Sequence, residues 1–73
     1  MTGGELSIAA VHRLIEKSGA ERVGDDAAEE LRRTLEELAE RIGKKAKDLA
    51  SHARRKTVKA EDIRLAIKDV VRE

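Results

Sequence analysis

The sequence predicts an all-α chain: a short helix, a long central helix and a second short helix. Three observations carry this. Apolar residues recur at steps of three and four in three separate stretches, proline is absent, and Ala, Leu, Glu, Lys and Arg are abundant. A charged content of 42% would also suit a disordered chain, but the regular apolar spacing speaks against that.

The first six residues, MTGGEL, read as a short flexible N-terminus, and residues 7–73 as one domain. Ser7 is the expected N-cap of a first helix over about 8–18, whose apolar positions are Ile8, Val11, Leu14 and Ile15. Gly19 is a natural left-handed stop. Ala20 to Gly24 form a connector in which Arg22-Val23 is extended enough for one short strand-like pairing, and Gly24 or Asp25 caps the next helix. The central helix is expected over about 27–53, with Leu31, Leu35, Leu38, Ile42, Ala46, Leu49 and Ala53 forming one stripe. Gly43 inside it costs roughly 1 kcal/mol against Ala, so it either permits a close helix crossing or is a tolerated weakness. Lys56-Thr57-Val58 is a second extended connector. The last helix runs over about 60–72, with Ile63, Ala66, Ile67, Val70 and Val71 on one side.

A helix over 27–53 is on the order of 40 Å long at ~1.5 Å per residue. Two short helices cannot cover such a rod, and a 73-residue chain is marginal on its own. Small domains compensate with disulfides, a metal or a partner chain. Cysteine is absent, and His12 and His52 lie forty positions apart without zinc-ligand spacing, so no metal or other cofactor is expected. A second copy is the remaining remedy.

Other function classes fall away on composition. With no Phe, Trp or Tyr, no base can stack on an aromatic platform, which argues against single-strand and RNA-binding modules. No apolar run approaches a membrane span or a signal peptide, so a cytoplasmic protein without membrane contact is expected. No nucleophile, base and orienting acid recur in an evident pattern, and Gly3-Gly4 alone is no phosphate loop. Neither an enzyme nor a small-molecule substrate is expected.

Net charge is only +1, but it is unevenly distributed. Residues 25–40 hold seven acids against Arg32 and Arg33, a balance of −5. Residues 41–59 hold eight bases against Asp48, a balance of +7. Acids at a helix start and bases at its end also complement the macrodipole, so the polarity alone does not name a partner.

Three segments resemble archaeal histones: Ile8-Ala9 through Arg13-Leu14-Ile15, Gly19 to Val23 followed by Asp25-Asp26-Ala27, and His52 to Ile63. In the last, Arg55, Thr57 and Asp62 fall in an R-x-T-x-x-x-x-D arrangement. The similarity covers about residues 6–70. It implies the histone fold: two chains clasped head to tail as a handshake homodimer, each first connector pairing with the partner's second. It also implies a chromosome- or nucleoid-associated protein that binds and wraps double-stranded DNA without sequence specificity, compacting it as tetramers or larger assemblies.

The resemblance assigns roles residue by residue. Arg22 would reach into an inward-facing minor groove, where narrowing concentrates negative potential. Arg55 and Asp62 would form a structural pair that shapes the second connector, presenting Thr57 and backbone N–H groups to phosphate. Thr57 could instead be chosen for its β-branch. Arg55 itself, Lys56 and Lys59 beside Thr57, and Arg13 on the first helix are further DNA-binding candidates. Lys44, Lys45 and Lys47 read as plain surface charge, and His12 as surface. Leu49, His52 and Leu65 would form a dimer–dimer contact in which His52 meets Asp62 of the neighbouring dimer. Gly19 would let stacked dimers approach, although capping explains it equally well.

The chain departs from the family's pattern in places. Arg54 stands where many members carry the Gly that closes the central helix, so a left-handed C-cap there would be strained. Ser7 and Ala10 replace frequent prolines. The acid-rich central helix favours an alternative, a histone-fold protein–protein dimerisation subunit of a transcription-related complex with little DNA contact. A helical oligomer without a ligand accounts for the stripes but not for Arg22, Arg55, Thr57 and Asp62 in register.

Overall fold

The computed structural model describes residues 6–71, which form three helices and no strand: α1 (Ile8–Lys17), α2 (Asp25–His52) and α3 (Ala60–Val70). Loop 1 (18–24) and loop 2 (53–59) join them. The expected flexible start falls, apart from Leu6, outside the described residues, as does the last residue of the expected third helix.

Local chemistry sets the helix ends. The Ser7 hydroxyl accepts from the Ala10 N–H at 3.1 Å and satisfies one of the orphan donors of α1. At the other end Gly19 has φ +112°, so the left-handed stop is where expected. Helix α2 starts two residues earlier than expected, with the Gly24 carbonyl accepting from the Ala28 N–H at 3.1 Å. Asp25 and Asp26 then sit in its first turn against the positive end of the dipole. After His52 the chain turns through Arg54 at φ +60°, the only non-glycine residue with positive φ among the described ones. The strain expected from an arginine at this C-cap is therefore present.

The chain divides into two compact units, Met1–Glu37 and Leu38–Glu73, and α2 contributes to both. In the first, Val11 of α1 and Ala28 of α2 are fully buried. In the second, the buried apolar residues are Ala46 and Ala50 of α2 and Ala66 of α3.

The apolar stripe of α2 behaves differently. Leu31, Leu35, Leu38, Ile42 and Leu49 are only half-buried, and Ala53 is exposed. On the short helices Leu14 and Leu65 stay 54% and 53% exposed, and Val58, Ile67 and Val71 are exposed as well. A single chain thus packs Val11 and several alanines tightly and leaves its described leucines and isoleucines partly in water. At roughly 25 cal/mol per Å² of apolar surface, removing those side chains from water would add stability that one chain leaves unused.

Candidate nucleic-acid interface

Loop 2 is built on a fork. Arg55, just past the strained Arg54, donates from Nη1 to Asp62 Oδ2 at 2.8 Å and from Nη2 to Asp62 Oδ1 at 3.0 Å. The same Nη1 donates to the Thr57 carbonyl at 3.1 Å, and Nη2 lies 3.5 Å from Glu61 Oε2. Asp62 Oδ2 also accepts from the Lys59 N–H at 2.8 Å, as the third residue of a helix does in a capping box. One carboxylate thus closes the start of α3 and holds the guanidinium that shapes the loop.

Asp62 is only 2% exposed, and the Arg55 guanidinium with the Lys59 N–H holds its pKa down at about 2. Hydrogen bonding to Asp62 raises the pKa of Arg55 in turn. The R-x-T-x-x-x-x-D spacing therefore brings Arg55 and Asp62 together, as the sequence predicts. These bonds engage Arg55 inside the loop. Lys56, Thr57 and Lys59 are left exposed on its outside, and among the described residues neither lysine forms an ion pair.

Loop 1 has no comparable fork. Ser18 Oγ donates to the Ile15 carbonyl at 2.6 Å and the Gly19 N–H to that of Glu16 at 3.0 Å, which ends α1. Arg22 follows in non-helical backbone; like Arg13 on α1, it is exposed and without an ion-pair partner among the described residues. No β-bridge involves Arg22-Val23 or Thr57-Val58 within the described residues; the pairing implied by the resemblance is one between copies.

Two features escaped the sequence reading. His12 is not a free surface residue: its ring is largely covered, and Nε2 lies 3.2 Å from Asp25 Oδ1, bracketing loop 1. The acids of α2 are also not a uniformly solvated face. Arg32, 8% exposed, bonds Glu29 and, at 3.1 Å, Glu36 Oε1. Glu36 Oε2 in turn accepts from the Leu6 N–H at 2.8 Å. Arg33 pairs with Glu30 at 3.1 Å. Bonding to Arg32 lowers the pKa of Glu29 and raises that of the arginine. The spacing of three and four residues between Glu29, Arg32 and Glu36 was the available signal.

Residues 4–67 match the family described as histone-like transcription factor (CBF/NF-Y) and archaeal histone. The chain belongs to that family. Over 64 residues this histone-family chain is 62% identical to an archaeal histone HAN1 subunit of Thermococcus zilligii, covering 88% of this chain and 96% of that one. It is 45% identical, with the same coverage, to probable archaeal histone 3 of Methanocaldococcus jannaschii. The three-helix order is that of the histone fold, and membership makes the chain a structural protein, not an enzyme. No helix among the described residues is long and apolar enough to cross a membrane.

Proposed function

We propose that this chain forms a head-to-tail homodimer through one histone-fold domain over residues 7–73, and that the dimer binds and wraps double-stranded DNA without sequence specificity. The observation that carries this reading is loop 2: the Arg55–Asp62 fork fixes the backbone while Lys56, Thr57 and Lys59 remain free on its outer side. A rigid loop with unengaged cations and a hydroxyl suits phosphate, which positions a protein without reading bases. Arg22 serves as the minor-groove arginine and Arg13 as a further phosphate contact. The half-buried leucines of α2 support the second copy, because pairing would remove them from water.

Association beyond the dimer would use exposed His52 and Leu65 with half-buried Leu49. Asp62 reaches a neighbour's His52 only with the acceptor capacity left by Arg55 and Lys59. Gly19, open on its outer side, suits stacked dimers. The protein would then reside on the chromosome in the cytoplasm.

Binding to unrelated duplexes across a salt series tests the reading, with sedimentation for the dimer. Each neutralised phosphate contributes about −0.9 to the log–log slope. Affinity that stays flat from low to moderate salt, or a well-folded monomer at micromolar concentration, refutes it. A second reading, a protein–protein subunit with little DNA contact, is favoured by the histone-like transcription factors that share the family. Arg22→Ala separates the two, since only the DNA-packaging form loses affinity for duplex while remaining a dimer.

A further inference from the structure

Within α2, Lys44, Lys47 and Ser51 follow one another at steps of three and four, so they share one flank of the helix. All three are exposed, and neither lysine forms an ion pair among the described residues. Buried Ala46 and Ala50 mark a different face, and half-buried Ile42 and Leu49 the apolar flank. Lys45 belongs with Ile42 and Leu49 by the same spacing, and its Nζ is held 3.5 Å from Asp69 Oδ2. The Lys44–Lys47–Ser51 line leads to Arg54, exposed and likewise unpaired among the described residues, and so to loop 2.

We propose that the phosphate-binding surface does not stop at loop 2 but continues back along this flank, with Arg54, Lys47 and Lys44 following one strand of the same duplex. The proposal builds on the DNA-binding reading above. From Lys44 to His52, where α2 ends, is about 12 Å of helix at 1.5 Å per residue, and Arg54 lies just beyond that end. One strand of a duplex presents a phosphate at every nucleotide, about 3.4 Å further along the axis each time, so each cation of the line can face a separate phosphate. Ser51 adds a neutral hydroxyl that can donate to a phosphate oxygen without a clash of charge. Asp48 borders the line, four residues after Lys44 and not bonded to it among the described residues, and weakens its field.

The test compares full-length variants by the salt dependence of binding to a mixed-sequence duplex. Lys44→Gln with Lys47→Gln is expected to flatten the slope by about 0.9 for each lysine, at unchanged helicity and oligomeric state. Lys45→Gln, one position away but tied to Asp69, should leave it unchanged, and Asp48→Asn should tighten binding. A wild-type protein without salt dependence refutes the DNA-binding reading itself. If Lys56→Gln with Lys59→Gln flattens the slope while the α2 pair does not, that reading stands and this extension falls. Equal effects from Lys45 and from Lys44 would reduce the line to bulk charge and also overturn it. So would loss, in the α2 pair alone, of an ability to join two differently labelled duplexes, which would assign the flank to a second duplex.

Discussion

In the first unit the charges of α2 face one another: Glu29, Arg32 and Glu36 form a chain that ends on the Leu6 backbone, Arg33 meets Glu30, and Asp25 meets His12. In the second unit only Lys45 and Arg55 are held, by Asp69 and by Asp62 with Glu61, and Arg41, Lys44, Lys47, Arg54, Lys56 and Lys59 are unpaired among the described residues. The same helix thus ties up part of its acidic end in internal pairs, with Asp26, Glu37 and Glu40 unpaired among the described residues, and leaves most of its basic end open. A net charge of +1 conceals the contrast between a balance of −5 over residues 25–40 and one of +7 over residues 41–59. Long-range attraction of a polyanion depends on the uncompensated charges, not on the total.

The strongest way to break this contrast is at Asp62. Asp62→Asn removes the charge that holds Arg55 and should cost more stability than truncation of any buried aliphatic side chain, with loop 2 losing its shape and DNA affinity falling along with it. The pH response has a definite sign. The carboxyl has a lower pKa folded, about 2, than its ordinary value of 3.8. Its stabilisation is therefore complete above pH 4 and fades as pH falls toward 2. Acid titration followed by circular dichroism should show a wild-type transition in that window that the variant lacks. An identical acid transition in both would mean that the fork contributes nothing.

Val11 is the largest fully buried side chain among the described residues. Val11→Ala should cost about 2 kcal/mol in urea unfolding, from lost transfer and an unfilled cavity. It should leave the salt slope of DNA binding unchanged, since α1 packing and free cations belong to different halves of the contrast. Arg54→Gly sharpens the contrast from the other side. Relief of a left-handed arginine should stabilise by about 1 kcal/mol, which for a domain of this size raises Tm by roughly 4–8 °C. The same change removes one exposed cation, so DNA binding should weaken as Tm rises. If both quantities moved together, the strain at φ +60° would not be a cost.

Helix ends were legible because Ser7, Gly19 and Gly24 act through their own backbone neighbourhood, and a short-range rule reads them directly. Arg54 was legible through the family resemblance, as a residue without glycine's freedom in a place where many members carry glycine. The Arg55–Asp62 fork came from a motif spanning eight positions, and the motif alone does not give the bond from Lys59 that completes it. What escaped was burial. That Arg32 would be covered and His12 would meet Asp25 depends on which side of α2 turns toward α1, and an apolar stripe with alanines on its edge leaves that rotation open. The leucines of the stripe are half-buried, which fits a rod that two short helices cannot cover, so the stripe is a surface open to another chain as much as to this one.

Gly43 sharpens that last point and has the smallest expected effect. It lies in the interior of α2, exposed, and a Cβ built there meets nothing within 4 Å among the described residues. If nothing else approaches, Gly43→Ala should stabilise by up to about 1 kcal/mol through helix propensity alone, visible as a shift of the urea midpoint at unchanged m-value. In a dimer the same substitution also reports on the partner. A gain that is independent of protein concentration places Gly43 in water, on the open side of the helix. A loss that grows as the protein is diluted places it where a second α2 passes, because a methyl group at a close crossing weakens association and leaves the single chain's own packing untouched.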